Sequence, residues 1–224
     1  MPTTLHRLTA EFLGTAFLLA AVVGSGIMGV TLSGGNVAIA LLANAIATGA
    51  ALTVLILTFG PISGAHFNPA VTVVDAVQGG IQWKLVPAYV TAQCAGALVG
   101  VWSAHLMFGQ AVWQTSVHIR SGPSQWFSEF VATLGLLIVI WGCSRSRPDA
   151  VPWAVGLYIT AAYWFTASTS FANPAVTLAR CFTSTFAGIR PGDAPGFVAA
   201  QFAGALAAVA LFRWMKWPVR GLRP

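Results

Sequence analysis

Charge is scarce in this chain. Of 224 residues only 11 are Lys or Arg and 5 are Asp or Glu, 7% in all, where a soluble domain carries about a quarter of its residues as charged ones. So few charges cannot cover a surface that meets water on every side. Histidine is sparse too: His6, His66, His105 and His118 are scattered, with no Cys or carboxylate at ligand spacing. That argues against a metal centre and against the nucleophile–base pair of a membrane enzyme. Cys94, Cys143 and Cys181 form no CxxC pair and read as buried thiols rather than a disulfide set. No catalytic residue, metal or cofactor is expected. The formal net charge is +6, but the basic residues gather at the ends of apolar segments. No basic groove with interleaved aromatics exists, so nucleic acid is not an expected partner.

Apolar sequence is what the chain has in plenty. Hydrophobic residues make up 57% and glycines number 23, which points to the bilayer as solvent and to closely packed membrane helices. Six apolar stretches fall at about 8–30, 36–59, 83–108, 126–144, 150–168 and 194–215. Each is near the ~20 residues that cross ~30 Å of hydrocarbon. The first has no cleavage pattern and reads as a retained helix. With a cytoplasmic N-terminus, Arg7, Lys84, Arg145, Arg147, Arg213, Lys216, Arg220 and Arg223 lie inside, and only Arg120, Arg180 and Arg190 lie outside. That split follows the inside bias of Lys and Arg and predicts that both termini are cytoplasmic.

The chain also repeats itself. "HFNPAVT" at 66–72 answers "FANPAVT" at 171–177, "EFLGT" at 11–15 answers "EFVAT" at 129–133, and "VTAQCAGALVG" at 90–100 answers "VAAQFAGALAA" at 198–208. Residues 1–224 thus form a single domain of two related halves, about 1–109 and 122–224. Each half has three spans, an odd number, so the second enters from the opposite side as an inverted repeat.

The Asn-Pro-Ala strings sit in segments too short to cross a membrane. Pro69 and Pro174 suit a first helical turn, where the missing N–H has no partner to lose. Asn68 and Asn173 suit the cap before it, and Ala70 and Ala175 keep the contact face thin. Entering from opposite faces, two such half-helices meet near the midplane, where irregular backbone is tolerated only beside a water-filled cavity. Their positive ends oppose a cation, and the two Asn amides can donate to a passing neutral oxygen.

These paired motifs, with "SGAHFNPAVT" at 63–72, resemble the major intrinsic protein family, the aquaporins and aquaglyceroporins, over nearly the whole chain. The resemblance implies an all-α membrane protein: a right-handed bundle of six transmembrane helices plus two re-entrant half-helices. It implies a pore in each protomer, a homotetramer, and a bacterial inner-membrane location. Glu11 and Glu129 match the family's buried acids, which accept bonds from the loop ahead of a half-helix, so both are expected to be structural. His66 matches a histidine lining the cytoplasmic side of the pore, and Asp75 is expected at the cytoplasmic rim.

The chain departs from the family at the selectivity filter. Counting from the motifs, the four filter positions fall on Thr48, Ala161, Ser170 and Val176. Water-selective members carry a large aromatic, a histidine, a small residue and an arginine there. Val176 stands where the arginine is expected, and Arg180 lies four residues later, one turn along the same face. Two readings of Arg180 stay open: it leans toward the pore, or it pairs elsewhere and snorkels to an extracellular vestibule. The expected ring is wide, uncharged and half polar, suited to small neutral solutes bearing several hydroxyls. The valine further resembles a bacterial subgroup associated with arsenic resistance, which implies undissociated arsenite and methylated arsenicals beside glycerol-like polyols and some water. A general glycerol or water facilitator shares every one of these pore residues.

Overall fold

Helices begin in this chain where a cap or a proline allows it. Thr3 and His6 close a reciprocal capping box ahead of α1, Thr4–Leu32. Asn36 Oδ1 accepts the amides of Ala38 and Ile39 at 3.0 and 3.2 Å ahead of α2, Val37–Ser63. Proline then opens α3 (Pro69–Val77), α5 (Pro123–Ser146) and α7 (Pro174–Arg180), and occupies the first turn of α4 (Val86–Met107), α6 (Val151–Phe165) and α8 (Ala194–Met215). Each tolerates it because the first N–H groups of a helix have no partner within the helix. The computed structural model describes residues 2–216, and contains eight α-helices and no strand among them. Arg220 and Arg223, counted above on the cytoplasmic side, lie outside the described residues.

Among the described residues, five segments are long and apolar enough to cross a membrane. The sixth expected span, α6, has only 15 residues, about 22 Å at 1.5 Å per residue. It stops because Thr166 turns its hydroxyl back onto the Ala162 carbonyl at 2.7 Å and leaves helical geometry with ψ 138°. Residues 166–173 then run as loop into α7.

Packing in the two halves is reciprocal. α1 lies on α4 and α2, α5 lies on α8 and α6, and both short helices touch α4 and α8. Glycine sets the closest crossings. A side chain at Gly96 or Gly100 of α4 would strike the Phe12 or Ala16 carbonyl of α1, and one at Gly204 of α8 would strike the Phe130 carbonyl of α5. Backbones approach that closely only where Cβ atoms are absent. The surface inverts the pattern of a soluble protein: Phe17, Leu42, Ile46, Val54 and Leu157 are exposed, while Glu11 and Glu129 are wholly buried. Trp83, Trp126, Trp153 and Trp214 are exposed near helix ends, the depth at which indoles sit between lipid and water.

Candidate functional site

The two short helices meet end to end at the centre of the molecule. Asn68 Oδ1 caps α3 by accepting the Ala70 amide at 2.9 Å, and Asn173 Oδ1 caps α7 by accepting those of Ala175 and Val176 at 2.9 and 3.2 Å. Their Nδ2 groups cross over. Asn68 donates to the Ala172 carbonyl and Asn173 to the Phe67 carbonyl, both at 2.7 Å. Each amide nitrogen carries two hydrogens, so each retains one donor beyond that clasp, and both asparagines line the same cavity.

The loops that lead into the asparagines are held open. Ala65 and Phe67 in the first, and Thr169, Ser170 and Ala172 in the second, take φ between 48° and 62°. For residues bearing a Cβ this left-handed conformation costs ~1–2 kcal/mol each. The buried acids offset it. Glu11 accepts from the amides of His66 and Phe67, the Ser63 hydroxyl and Gln93 Nε2 at 2.6–3.0 Å. Glu129 accepts from the amides of Phe171 and Ala172 and from Gln201 Nε2 at 2.6–2.8 Å. Gln93 and Gln201 donate again to Thr72 and Thr177, at 2.9 and 2.8 Å, whose hydroxyls bind the Asn68 and Asn173 carbonyls. Acid, glutamine, threonine and asparagine therefore form one closed network in each half.

Between these networks runs a cavity of about 380 Å³. His66 and Asp75 line it together. His66 Nδ1 is 3.1 Å from the Thr72 hydroxyl and Nε2 is 3.5 Å from Asp75 Oδ2. Thr48, Ser170 and Val176 also line it. Ala161 does not: it is exposed on the outer face of α6, while Ile159 and Tyr163 reach the cavity. Counting from the motif crosses the irregular loop after Thr166, and that loop shifts the phase of α6. The Tyr163 hydroxyl lies 3.2 Å from that of Thr48, a partner that no local pattern announced.

Arg180 follows the first of the two readings left open. It does not reach out to an extracellular vestibule; it is 2% exposed and lines the cavity. Its Nε donates to the Ala187 carbonyl, and its guanidinium carbon sits 3.4 Å from the centre of the Phe171 ring. The cause is a roof of chain over the end of α7. Ile189 N bonds to the Arg180 carbonyl at 3.1 Å, Ser116 N to that of Cys181 at 2.8 Å, and Arg190 N to that of His118 at 2.7 Å. Ser116, Ala187 and Ile189 are buried there, so chain occupies the place where a long side chain would emerge. A second guanidinium, that of Arg120, lies 5.2 Å from the Phe171 ring and donates to the carbonyls of Gly188, Ser168 and Phe186. Burial lowers the Arg120 pKa from its ordinary value. The cavity wall beside Phe171 is charged, contrary to the expected uncharged ring. Arg180 Nη1 and Ser170 Oγ are buried without a protein partner, a state that costs ~1–3 kcal/mol per group unless something in the cavity meets it.

Paired half-helices, capping asparagines that face one lumen, and an apolar exterior define a membrane-embedded solute channel. The chain belongs to the major intrinsic protein family, whose model matches residues 1–148 and 143–222; its members are channels, not enzymes. It is 58% identical over 215 residues to the aquaglyceroporin AqpS of Rhizobium meliloti (strain 1021), covering 96% of this chain and 92% of that one. It is 35% identical to aquaporin NIP3-1 of Oryza sativa subsp. japonica over 69% of this chain and 51% of the plant protein. The X-ray structure of the aquaglyceroporin from Plasmodium falciparum superposes with a TM-score of 0.74, at 23% identity, over 94% of this chain and 96% of that one, which establishes the shared fold.

Proposed function

We propose that this chain is a passive channel for small neutral solutes larger than water: glycerol-like polyols, undissociated arsenite and methylated arsenicals, with some water. It works as a homotetramer in a bacterial inner membrane, both termini cytoplasmic, with its halves related as an inverted repeat. The observation that carries the reading is the composition of the cavity wall beside the asparagines. Hydroxyls of Thr48, Tyr163 and Ser170 share the lumen with the apolar flanks of Ile159 and Val176, and such a wall suits a solute with polar oxygens on a small compact body. Val176 leaves space beside the second Asn-Pro-Ala that an arginine would fill. The free Asn68 and Asn173 donors then hand the solute's oxygens across the centre.

The name of the Rhizobium relative, an aquaglyceroporin, supports glycerol. A glycerol or water facilitator without a metalloid role is therefore the second reading. Stopped-flow uptake into proteoliposomes, comparing water, glycerol and neutral arsenite, separates them. Glycerol and arsenite should both enter faster than into protein-free vesicles. Glycerol or water without arsenite would select the second reading, and uptake of all three no faster than into protein-free vesicles would refute both.

A further inference from the structure

We infer that the Phe171 end of the lumen is a binding site for a small monovalent oxyanion, held by Arg180 and Ser170. The first observation is an imbalance of charge. Two guanidinium groups, Arg180 and Arg120, flank one face-bearing ring, Phe171, at 3.4 and 5.2 Å from its centre. The carboxylates nearby do not balance both. Glu129, whose own partners are the neutral loop amides and Gln201, offsets one of the two guanidinium charges. Asp193 accepts from Arg190 Nη2 at 2.7 Å and from the Arg120 amide at 2.9 Å. Positive charge is left in excess where the lumen is lined by Arg180.

The second observation is independent of charge. Arg180 is 2% exposed and Ser170 3%, both line the cavity, and Arg180 Nη1 and Ser170 Oγ each lack a protein partner. Arg120 is spent on three backbone carbonyls and acts as fixed charge. Arg180 commits only Nε, to Ala187. A guanidinium nitrogen donates and never accepts, and a serine hydroxyl rotates to donate, so the pair presents two donors to one visitor. Two donors backed by net positive charge favour an oxyanion over a neutral hydroxyl, since hydrogen bonds to an ionised acceptor are roughly twice as strong. The apolar side of the site, Val176, admits only a compact ion. A bound anion would occupy the lumen and slow neutral solutes, an effect that goes beyond the neutral-solute reading while using the same cavity.

The probe is nitrate, which is small, flat and fully ionised. Purified full-length protein in detergent is melted in sodium nitrate against sodium gluconate, a much bulkier organic anion, at constant ionic strength. Nitrate should raise the melting temperature saturably and gluconate should not. Ser170→Ala should weaken the nitrate half-saturation about fivefold, the worth of one hydrogen bond, and Arg180→Gln should weaken it more than about tenfold. In proteoliposomes nitrate should slow glycerol uptake at the same half-saturation, and less so in Ser170→Ala. Equal shifts with nitrate and gluconate would overturn the site, as would a nitrate shift unchanged in Ser170→Ala. Glycerol that stabilises as strongly as nitrate and competes with it would also overturn it, by making the ligand a neutral oxygen. If Arg180→Gln fails to fold, Ser170→Ala decides. If the parent carries no glycerol, the neutral-solute reading falls while the melting data still judge this site.

Discussion

The two short helices share a scaffold and differ in what they show the lumen. In each half a buried acid holds the left-handed loop, a glutamine joins that acid to a threonine, and an asparagine reaches across to the other half. Beyond that scaffold the halves part company. The first presents His66 and Asp75, and the second presents Ser170, Val176 and Arg180 over Phe171. Duplicated parts build the passage, and the parts that are not duplicated give its two ends different chemistry.

The strongest way to break this comparison is at the acids. Glu11→Gln and Glu129→Gln each replace an acceptor oxygen by an NH₂ that faces only donors: amides, a hydroxyl or a glutamine NH₂. Each should cost about 3 kcal/mol or more, because a buried network is left half satisfied. Thermal denaturation in detergent should show losses of similar size in the two variants. A large loss in one and none in the other would mean that only one half depends on its acid.

Next in size is Val176→Arg. The parent cavity is already lined by Arg180, and Arg120 lies 5.2 Å from the Phe171 ring. A third guanidinium should both narrow the lumen and add repulsion. Glycerol permeability should drop at least tenfold, about 1.4 kcal/mol on the barrier, and water permeability by less. Equal loss of both solutes would place the limiting point elsewhere.

Much of this architecture was legible in the sequence, and the failures share a cause. Spans and capped half-helices follow from local signals: run length and the Asn-Pro pair. The fates of Ala161 and Arg180 depend on irregular chain. Residues 166–173 carry no period from which the phase of α6 could be set, so counting back from Asn173 landed on a residue that faces outward. Arg180 was read at the right spacing, but the roof built by residues 116, 118 and 189 is a long-range contact that no short window contains. Tyr163 and Arg120 belong to no motif. They matter because the fold brings them to Thr48 and Phe171.

A smaller effect should follow at the hydroxyl pair. Tyr163→Phe removes one member of the 3.2 Å contact with Thr48 and leaves the ring in place. Losing a single neutral hydrogen-bonding group is worth about 1 kcal/mol. Glycerol permeability should therefore change by several-fold at most, with water nearly constant. Asp75→Asn at the other end supplies the contrast: it removes charge next to His66 without touching the hydroxyl wall. It should leave the glycerol-to-water ratio near the parent's if the Phe171 end sets selectivity. A shift in that ratio larger than the one Tyr163→Phe produces would move the selective point to the His66 end.

The smallest effect is expected at Ala161, and its smallness is informative. Successive residues of a helix turn by about 100°, so Ala161 stands roughly 200° round from Ile159 and from Tyr163, and those two line the cavity while Ala161 is exposed. Ala161→Phe adds an apolar ring to an apolar outer face and should change stability by no more than about 0.5 kcal/mol, with both permeabilities unaltered. Ile159→Phe makes a related change two residues away, but into the lumen, and should cut glycerol uptake clearly more than water uptake. The deciding measurement is the glycerol-to-water permeability ratio of the two variants, normalised to protein in the vesicles. A fall in that ratio for Ala161→Phe but not for Ile159→Phe would mean that α6 turns its other face to the pore, restoring the position counted from the motif.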